Sequence, residues 1–289
     1  MTFTVAVIAA GEMGSAVGRL LAENGARVIT SLAGRSAASA ARAQKAGMSV
    51  VESDDQLAAQ ADFILSIIPP GHAVALAGRL KPAIARAAKK PVYVDCNAVA
   101  PETAEKIETT LAGAGCIYVD AGIIGPPPAP GLRTIFYASG PGAKNFEQLS
   151  AHGLFVRVID GPIGAASAVK LSYAGITKGF TALGAAMMLG AARAETAAAL
   201  HQEMVESQPQ LLAWLARQVP RMYSKAYRWV AEMEEISAFL YGDPASEDMY
   251  EDIARFYEQI ADSERAERKA GDAIDQMTRF CTAEANKNG

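Results

Sequence analysis

The sequence predicts an α/β domain, a doubly wound sheet with helices on both faces, followed by an all-α domain. Three observations carry that expectation. Short apolar runs alternate with helical stretches over the first 160 residues, a glycine turn joins the first run to the first helix, and from residue 165 onward helical periodicity replaces strand patterning. A chain of 289 residues exceeds the ~100–200 of one typical domain, so two are expected, 1–160 and 161–289, meeting at Gly161-Pro162.

Residues 5–9 form a short apolar strand and 13–23 a helix that Asn24-Gly25 stops before the next strand, 27–31. This βαβ unit is followed by a helix over 37–46 that ends at Gly47, and by a strand at 49–51. Ser53 and Gln56 then make a capping box. Residues 63–68 are wholly apolar apart from Ser66 and stop at Pro69-Pro70, which suits a central parallel strand buried on both faces. Further strands are expected at 92–95, 117–120, 134–138 and 156–159. The second half opens with a long helix, 165 to about 195, dense in Ala, Gly and Ser, as suits a helix closely packed by others. Trp214, Val219, Met222 and Trp229 on later helices, and the stripe Ile253, Phe256, Tyr257 and Ile260, read as core.

Hydrophobic residues make up 51% and charged residues 20%, enough apolar material for a core and too much for a disordered chain. A net charge of -4 with no long basic run gives nucleic acid nothing to bind. The charge-free stretch 179–192 is shorter than the ~20 residues of a membrane span. Residues 2–8 lack a basic region ahead of their apolar run and read as a strand, so a cytoplasmic location is expected. Cys96, Cys116 and Cys281 lack disulfide or zinc spacing and are expected to be structural thiols, and no metal is expected. His72, His152 and His201 have no Asp or Ser partner at telling spacing and read as loop or surface residues, which removes hydrolase and metalloenzyme constellations.

The first strand runs into Ala9-Ala10-Gly11-Glu12-Met13-Gly14 and a helix. Glycines here let a backbone approach a pyrophosphate and let the helix pack on the strand, while the helix N-terminus faces the phosphates. Ala9 stands where the fingerprint has its first glycine, but strand, turn and helix supply the context, so a Rossmann-type dinucleotide site is expected. The acidic residue with which NAD enzymes hold the ribose 2′-hydroxyl is missing, since residues 24–51 contain no Asp or Glu. Gly34-Arg35-Ser36 follows the second strand instead, and a guanidinium with a hydroxyl suits the 2′-phosphate of NADP.

Several segments resemble, in order, the β-hydroxyacid dehydrogenase family, which includes 3-hydroxyisobutyrate and phosphogluconate dehydrogenases and has imine reductases as close relatives. Gly11-Glu12-Met13-Gly14 resembles the family's cofactor turn, and Ile67-Ile68-Pro69-Pro70 the loop that passes near the nicotinamide. Residues 95–101, Asp95-Cys96-Asn97-Ala98-Val99-Ala100-Pro101, resemble its D-x-S-T-x-x-P segment, with Asn97 where Ser is common. Asp120-Ala121-Gly122-Ile123-Ile124-Gly125-Pro126 resembles its substrate-binding segment, and residues 161–170 its G-x-x-G-x-x-x-x-x-K, which carries the catalytic lysine. The resemblance covers roughly residues 3–175. Beyond it, Arg221-Met222 and residues 226–236 look like a subfamily whose C-terminal domain has no generally assigned substrate.

The glycine turn, the segment after the second strand and the resemblance together give an expected cofactor site of Ala10, Gly11, Glu12, Met13, Gly14, Gly34, Arg35, Ser36, Ile68, Pro69, Pro70 and Asn97. The resemblance implies a small-molecule substrate held by Asn97, Gly122, Ile123, Ile124 and Gly125, with Lys170 as the catalytic residue. Two departures bear on the substrate. Ile124-Gly125-Pro126 replaces the common Ser-Gly-Gly, losing a hydroxyl and one N–H, and Ala174 replaces an Asn. Tyr173 and Lys178 are the polar groups that could substitute, although a wet helix face is the plainer reading of Lys178. Pro126-Pro127-Pro128 reads equally as a stiffened pocket wall or a structural loop.

Hydride transfer at an alcohol or carbonyl carbon needs a group that takes or gives the oxygen-bound proton. A lysine on an otherwise apolar helix loses solvation, which lowers its pKa toward that use. Three readings follow: an NADP-dependent dehydrogenase or reductase of a hydroxy acid or related carbonyl compound, an imine reductase, and an NADPH-binding protein without turnover. Lys170 counts against the second, because those relatives often replace that lysine, while Ile124 and Ala174 suggest the third. The long Ala/Gly-rich helix has more apolar surface than a small bundle covers, so a homodimer built by the helical domain is expected.

Overall fold

The computed structural model describes residues 2–266 and 271–283. Its first half alternates as expected: β1 (Thr4–Ile8), α1 (Glu12–Glu23), β2 (Arg27–Ser31), α2 (Ala37–Lys45), β3 (Ser49–Val51), α3 (Asp54–Gln60) and β4 (Phe63–Ser66). There follow α4 (Ala73–Arg86), β5 (Val92–Asp95), α5 (Pro101–Leu111), β6 (Ile117–Ile124), β7 (Ile135–Ser139), α6 (Ala143–Glu147) and β8 (Phe155–Val158). The Ser53 hydroxyl caps α3 through the Gln56 N–H, as the capping box predicts.

The eight strands form one sheet in the order β3-β2-β1-β4-β5-β6-β7-β8. All neighbours are parallel except β6 and β7. The order reverses between β1 and β4, and the crevice beyond the carboxyl ends of strands at such a reversal is where open α/β sheets bind ligands. Val5, Val7, Leu65 and Val94 face one apolar layer, with Val17 and Leu21 of α1. Ala6, Ile8, Ile64 and Tyr93 face the other, with Leu76 and Leu80 of α4. Each central strand therefore buries both faces, which is why β4 reads as an unbroken apolar run.

Two strand ends differ from expectation by two residues or more. The strand expected at 117–120 continues to Ile124, because residues 120–124 pair antiparallel with β7 and so the substrate-like segment lies in the sheet. The strand expected over 63–68 ends at Ser66, where the backbone turns into the Ile67–Pro70 loop.

The remaining helices are α7 (Ala165–Arg193), α8 (Ala197–Ser207), α9 (Pro209–Met222), α10 (Ala226–Phe239), α11 (Pro244–Arg265) and α12 (Ala273–Thr282). The chain divides into compact units 1–171 and 172–289. The division falls inside α7 and not at Gly161-Pro162, because the first turns of α7 pack on the sheet. A Cβ on Gly122 of β6 would stand 2.8 Å from the Ala166 carbonyl oxygen and 2.7 Å from Lys170 Cβ. In the second unit Met233 and Ile236 of α10 and Ile253, Tyr257 and Ile260 of α11 are buried. Trp229 meets Tyr257 edge to face, with centroids 5.2 Å apart. One face of α7 is bare: Tyr173, Ile176, Phe180, Leu183 and Met187 are 52–65% exposed at alternating spacings of three and four.

Candidate active site

The turn after β1 is built around two glycines with different duties. A Cβ on Gly14 would lie 2.0 Å from the Ala9 carbonyl oxygen, so only glycine lets α1 sit this close to the end of β1. A Cβ on Gly11 would meet nothing within 4 Å, and Gly11 caps α1 without a side-chain hydrogen bond. Open room thus lies before a helix N-terminus that no side chain caps, the arrangement that receives a dinucleotide pyrophosphate. Ala10 is buried behind it, Met13 packs on the core, and Glu12 is exposed at the first helical position. Gly18, one turn further, also permits close packing, since its Cβ would stand 3.0 Å from Met48 Sδ.

After β2, Gly34 takes the left-handed conformation (φ 70°) that turns the chain toward α2. Arg35 is exposed, and its guanidinium makes no hydrogen bond or ion pair among the described residues. Ser36 is the N-cap of α2, accepting from the Ser39 N–H at 3.3 Å. Sequence reasoning missed Arg42, whose Nε donates to the Ala10 carbonyl at 3.0 Å and whose Nη2 donates to Ser39 Oγ at 3.1 Å. The signal was there: Ser36, Ser39 and Arg42 recur every three residues along one helix in a stretch without acids.

A buried polar row crosses the carboxyl ends of β4, β5 and β6. Ser66, Asp95 and Asp120 stand in register on neighbouring strands, all fully buried. Asn97 closes the row over the Ile67–Pro70 loop. Its Oδ1 accepts from the Ile68 N–H at 2.7 Å, and its Nδ2 donates to Ser66 Oγ at 2.8 Å and to Asp95 Oδ1 at 2.6 Å. With both N–H donors committed, the Asn97 side chain fixes the loop, and its free donor for a ligand is gone. Pro69 is exposed on that loop, and Pro70 starts a 3₁₀ turn. Burial, followed by the charge of Asp120, pushes the Asp95 carboxyl up to about 7 against the opposing hydrogen bond from Asn97. Asp95 Oδ2 has no hydrogen-bond partner among the described residues.

Asp120 holds the start of α7. Its Oδ2 accepts from Ser139 Oγ at 2.9 Å, the Gly164 N–H at 3.0 Å and the Ser167 N–H at 3.1 Å, and its Oδ1 accepts from Ser167 Oγ at 2.6 Å. Ser139 Oγ in turn accepts from the Ala166 N–H at 2.9 Å. A carboxylate at a helix N-terminus also gains from the helix dipole. Lys170 follows Ser167 on the next turn, half-buried, its ammonium without a hydrogen bond or ion pair among the described residues.

The other expected residues separate by role. Gly122 is the glycine across which α7 reaches β6, and Gly125 (φ 130°) makes a turn in which a Cβ would lie 2.6 Å from the Arg133 carbonyl oxygen. Ile123 is buried in the sheet core, while Ile124 is half-buried. The proline segment is pinned: Arg19 Nη2 donates to the Pro128 carbonyl and Thr134 Oγ1 to that of Pro126. In the second unit Tyr173 is exposed. Lys178 does not lie on a wet face, because it pairs with Glu232, lies 5.0 Å from the Trp229 ring centroid and has a side chain only 13% exposed. His152 and His201 are likewise buried and not at the surface. His152 Nδ1 lies 2.8 Å from the Asn24 carbonyl, and the His201 ring meets Phe280. The three thiols are free, and burial raises the pKa of each, that of Cys281 to about 11.

Among the described residues no group of three or more His, Cys, Asp or Glu could hold a metal ion, and no helix is long and apolar enough to cross a membrane.

The sheet reversal, the glycine turn and the open room before α1 define a Rossmann-type dinucleotide-binding protein. Residues 4–151 match the family described as the NAD binding domain of 6-phosphogluconate dehydrogenase, and residues 191–260 match a domain of unknown function. The chain belongs to this family, that of the β-hydroxyacid dehydrogenases. Over 87 residues it is 32% identical to a 3-hydroxyisobutyrate dehydrogenase of Pseudomonas aeruginosa, a match spanning 30% of this chain and 29% of that enzyme. A conserved protein of unknown function, described as structurally similar to 3-hydroxyacid dehydrogenases, superposes with a TM-score of 0.69 at 26% identity, over 91% of this chain and 98% of that one. The 3-hydroxyisobutyrate dehydrogenase of Mycobacterium tuberculosis, solved with L-serine, shares the fold at a TM-score of 0.70 and 16% identity, over 97% and 98% of the two chains. An imine reductase of Myxococcus stipitatus in complex with NADP+ does so at 0.53 and 18%, over 97% and 99%.

Proposed function

We propose that this protein is an NADP-dependent oxidoreductase that moves a hydride between nicotinamide and a hydroxy acid or related carbonyl compound, with Lys170 as general acid and base. The observation that carries this reading is the polar row in the first unit. It joins the Ile68 N–H through Asn97 to Asp95. Asp95 stands beside Asp120 in register on the next strand without a hydrogen bond between the two carboxyl groups, and Asp120 anchors the helix turn that precedes Lys170. The loop that resembles the nicotinamide-flanking loop and the only lysine delivered by a motif are thus anchored on neighbouring strands of one sheet.

When bound, the cofactor supplies or accepts the hydride. The chain does the rest: Gly11 and the first turn of α1 hold the pyrophosphate, and Arg35 and Ser36 hold the 2′-phosphate. Ile68, Pro69 and Pro70 flank the nicotinamide. Lys170 takes the proton from the substrate hydroxyl during oxidation and returns one to the carbonyl oxygen during reduction. Gly122, Ile124 and Gly125 offer backbone and apolar surface to the substrate, and Tyr173 and Lys178 are retained as substrate-binding proposals. The test is NADPH oxidation over a panel of carbonyl compounds and cyclic imines. Turnover confined to imines would replace this reading with an imine reductase, and no turnover on either class would leave a binding protein.

For the cofactor, NADPH is expected to bind more tightly than NADH. Arg35→Ala should weaken NADPH by ~1.5–3 kcal/mol, the worth of a charge-assisted contact, and leave NADH nearly unchanged. Fluorescence titration of both cofactors reads this directly, and equal or tighter NADH binding by the unaltered protein would refute it.

A homodimer built by the helical unit forms part of the proposal. Its support is the bare α7 stripe together with an apolar cavity of about 320 Å³ lined by Phe180, Leu183, Met187, Met204, Leu211 and Leu215. Light scattering should report twice the 30.3 kDa chain mass at micromolar concentration, and Phe180→Asp should shift it toward the monomer. A monomeric unaltered protein would count against dimerisation.

A further inference from the structure

We infer that Arg42 is a second specificity-determining residue of the cofactor site, one that reads the 2′-phosphate together with Arg35. This rests on the NADP reading above and goes beyond it, since Arg42 lies outside the glycine turn and outside the Gly34-Arg35-Ser36 segment.

The guanidinium of Arg42 spans two parts of the site. Its Nε is bonded to the carbonyl of Ala10, in the turn that precedes α1, and its Nη2 to the hydroxyl of Ser39, in the first turn of α2. Ser39 Oγ lies 3.3 Å from Ser36 Oγ, so Ser36, Ser39 and Arg42 form one polar string from the α2 N-cap back to the pyrophosphate turn. Both acceptors of Arg42 are uncharged, and a guanidinium has five N–H donors. Nη1 has no partner among the described residues, and two N–H groups there remain to meet an anion. Residues 24–51 contain no carboxylate, and the acidic residue that lines the same cavity as Arg42 is Glu12, at the start of α1.

A structural tie alone would need only one donor to the Ala10 carbonyl. A planar, permanently charged group that fixes two edges on neutral acceptors and leaves a third free is the form suited to a phosphate dianion. A ribose carrying only its 2′-hydroxyl would gain little from it. Arg42 itself stands in the last turn of α2, and its guanidinium reaches back along the helix to Ser39 in the first turn.

The test measures the affinities of NADPH and NADH, and of adenosine 2′,5′-bisphosphate against ADP, for the unaltered protein, Arg42→Gln and Arg42→Lys. In Arg42→Gln, NADPH and the 2′,5′-bisphosphate should weaken by at least about tenfold more than NADH and ADP, which share only the loss of the tie to Ala10. Arg42→Lys should recover only part of the loss, because one ammonium cannot span Ala10 and Ser39 and also address a phosphate. Equal weakening of all four ligands, or an unchanged NADPH-to-NADH ratio, would overturn the inference and leave NADP preference standing. Absence of that preference in the unaltered protein would instead remove the NADP reading itself, and this inference with it. Should Arg42→Gln fold poorly, Ser39→Ala removes the hydroxyl anchor and keeps the charge. It is expected to weaken NADPH selectively, by about threefold, and a variant with no selective change would overturn the bridge.

Discussion

Lys170→Ala is expected to retain NADPH affinity and thermal stability and to lose ~10²–10⁴-fold in turnover, the usual contribution of a positioned acid-base group. Stability should hold because the ammonium is bonded to nothing among the described residues, so truncation strands no partner. Alanine also keeps the Cβ that faces Gly122 and suits a helix interior. Cofactor affinity should hold because none of the turn, loop or N-cap interactions includes Lys170. Single-turnover measurement with pre-bound NADPH separates the chemical step from binding. A variant that keeps most of its activity on the true substrate would refute the assignment and turn attention to Tyr173 and Lys178.

The fold was legible because its signals are local and repeated. Parallel strands buried on both faces read as apolar runs, and Ser36, Ser53 and the glycines mark helix ends by chemistry that sequence carries directly. The cofactor turn was legible for the same reason: glycine is required where the Gly14 Cβ would strike the Ala9 carbonyl. What could not be read was pairing between distant segments. Nothing local to 120–124 announces an antiparallel partner at 135–139, so the expected strand stopped at 120. Lys178 looked solvated because its partner Glu232 and the Trp229 ring come from a helix fifty residues on. His152 and His201 are buried for a similar reason, each completed by a carbonyl or ring far away in the chain. Arg42 is the intermediate case, in which the periodicity was visible while the Ala10 carbonyl that gives it meaning was not.

Asp120→Ala is expected to destabilise the protein by about 3 kcal/mol or more, the scale set by buried donors left without an acceptor. The two N–H groups of Gly164 and Ser167 and the hydroxyls of Ser139 and Ser167 would all lose this carboxylate at once, at the start of α7 and away from water. Asp120→Asn keeps the shape and can leave its oxygen toward the Ser139 hydroxyl and the Gly164 and Ser167 N–H groups, with its N–H₂ against the Ser167 hydroxyl. It should therefore cost less stability and still lower turnover by weakening the hold on the helix turn that carries Lys170. A second readout follows from the neighbouring strand. Asp95 is pushed from 3.8 up to about 7 by burial and then by the Asp120 charge, so it binds its proton more tightly folded than unfolded. Its contribution to stability is therefore full below about pH 4 and is lost as the pH rises toward 7. Neutralising the neighbour lowers the folded pKa, so in Asp120→Asn that loss between pH 4 and 7 should shrink. Urea unfolding of both proteins across this range measures both effects. A pH dependence unchanged by the substitution would break the coupling of the two carboxylates, and an Asp120→Ala variant within about 1 kcal/mol of the parent would show that α7 does not depend on Asp120 for its anchorage.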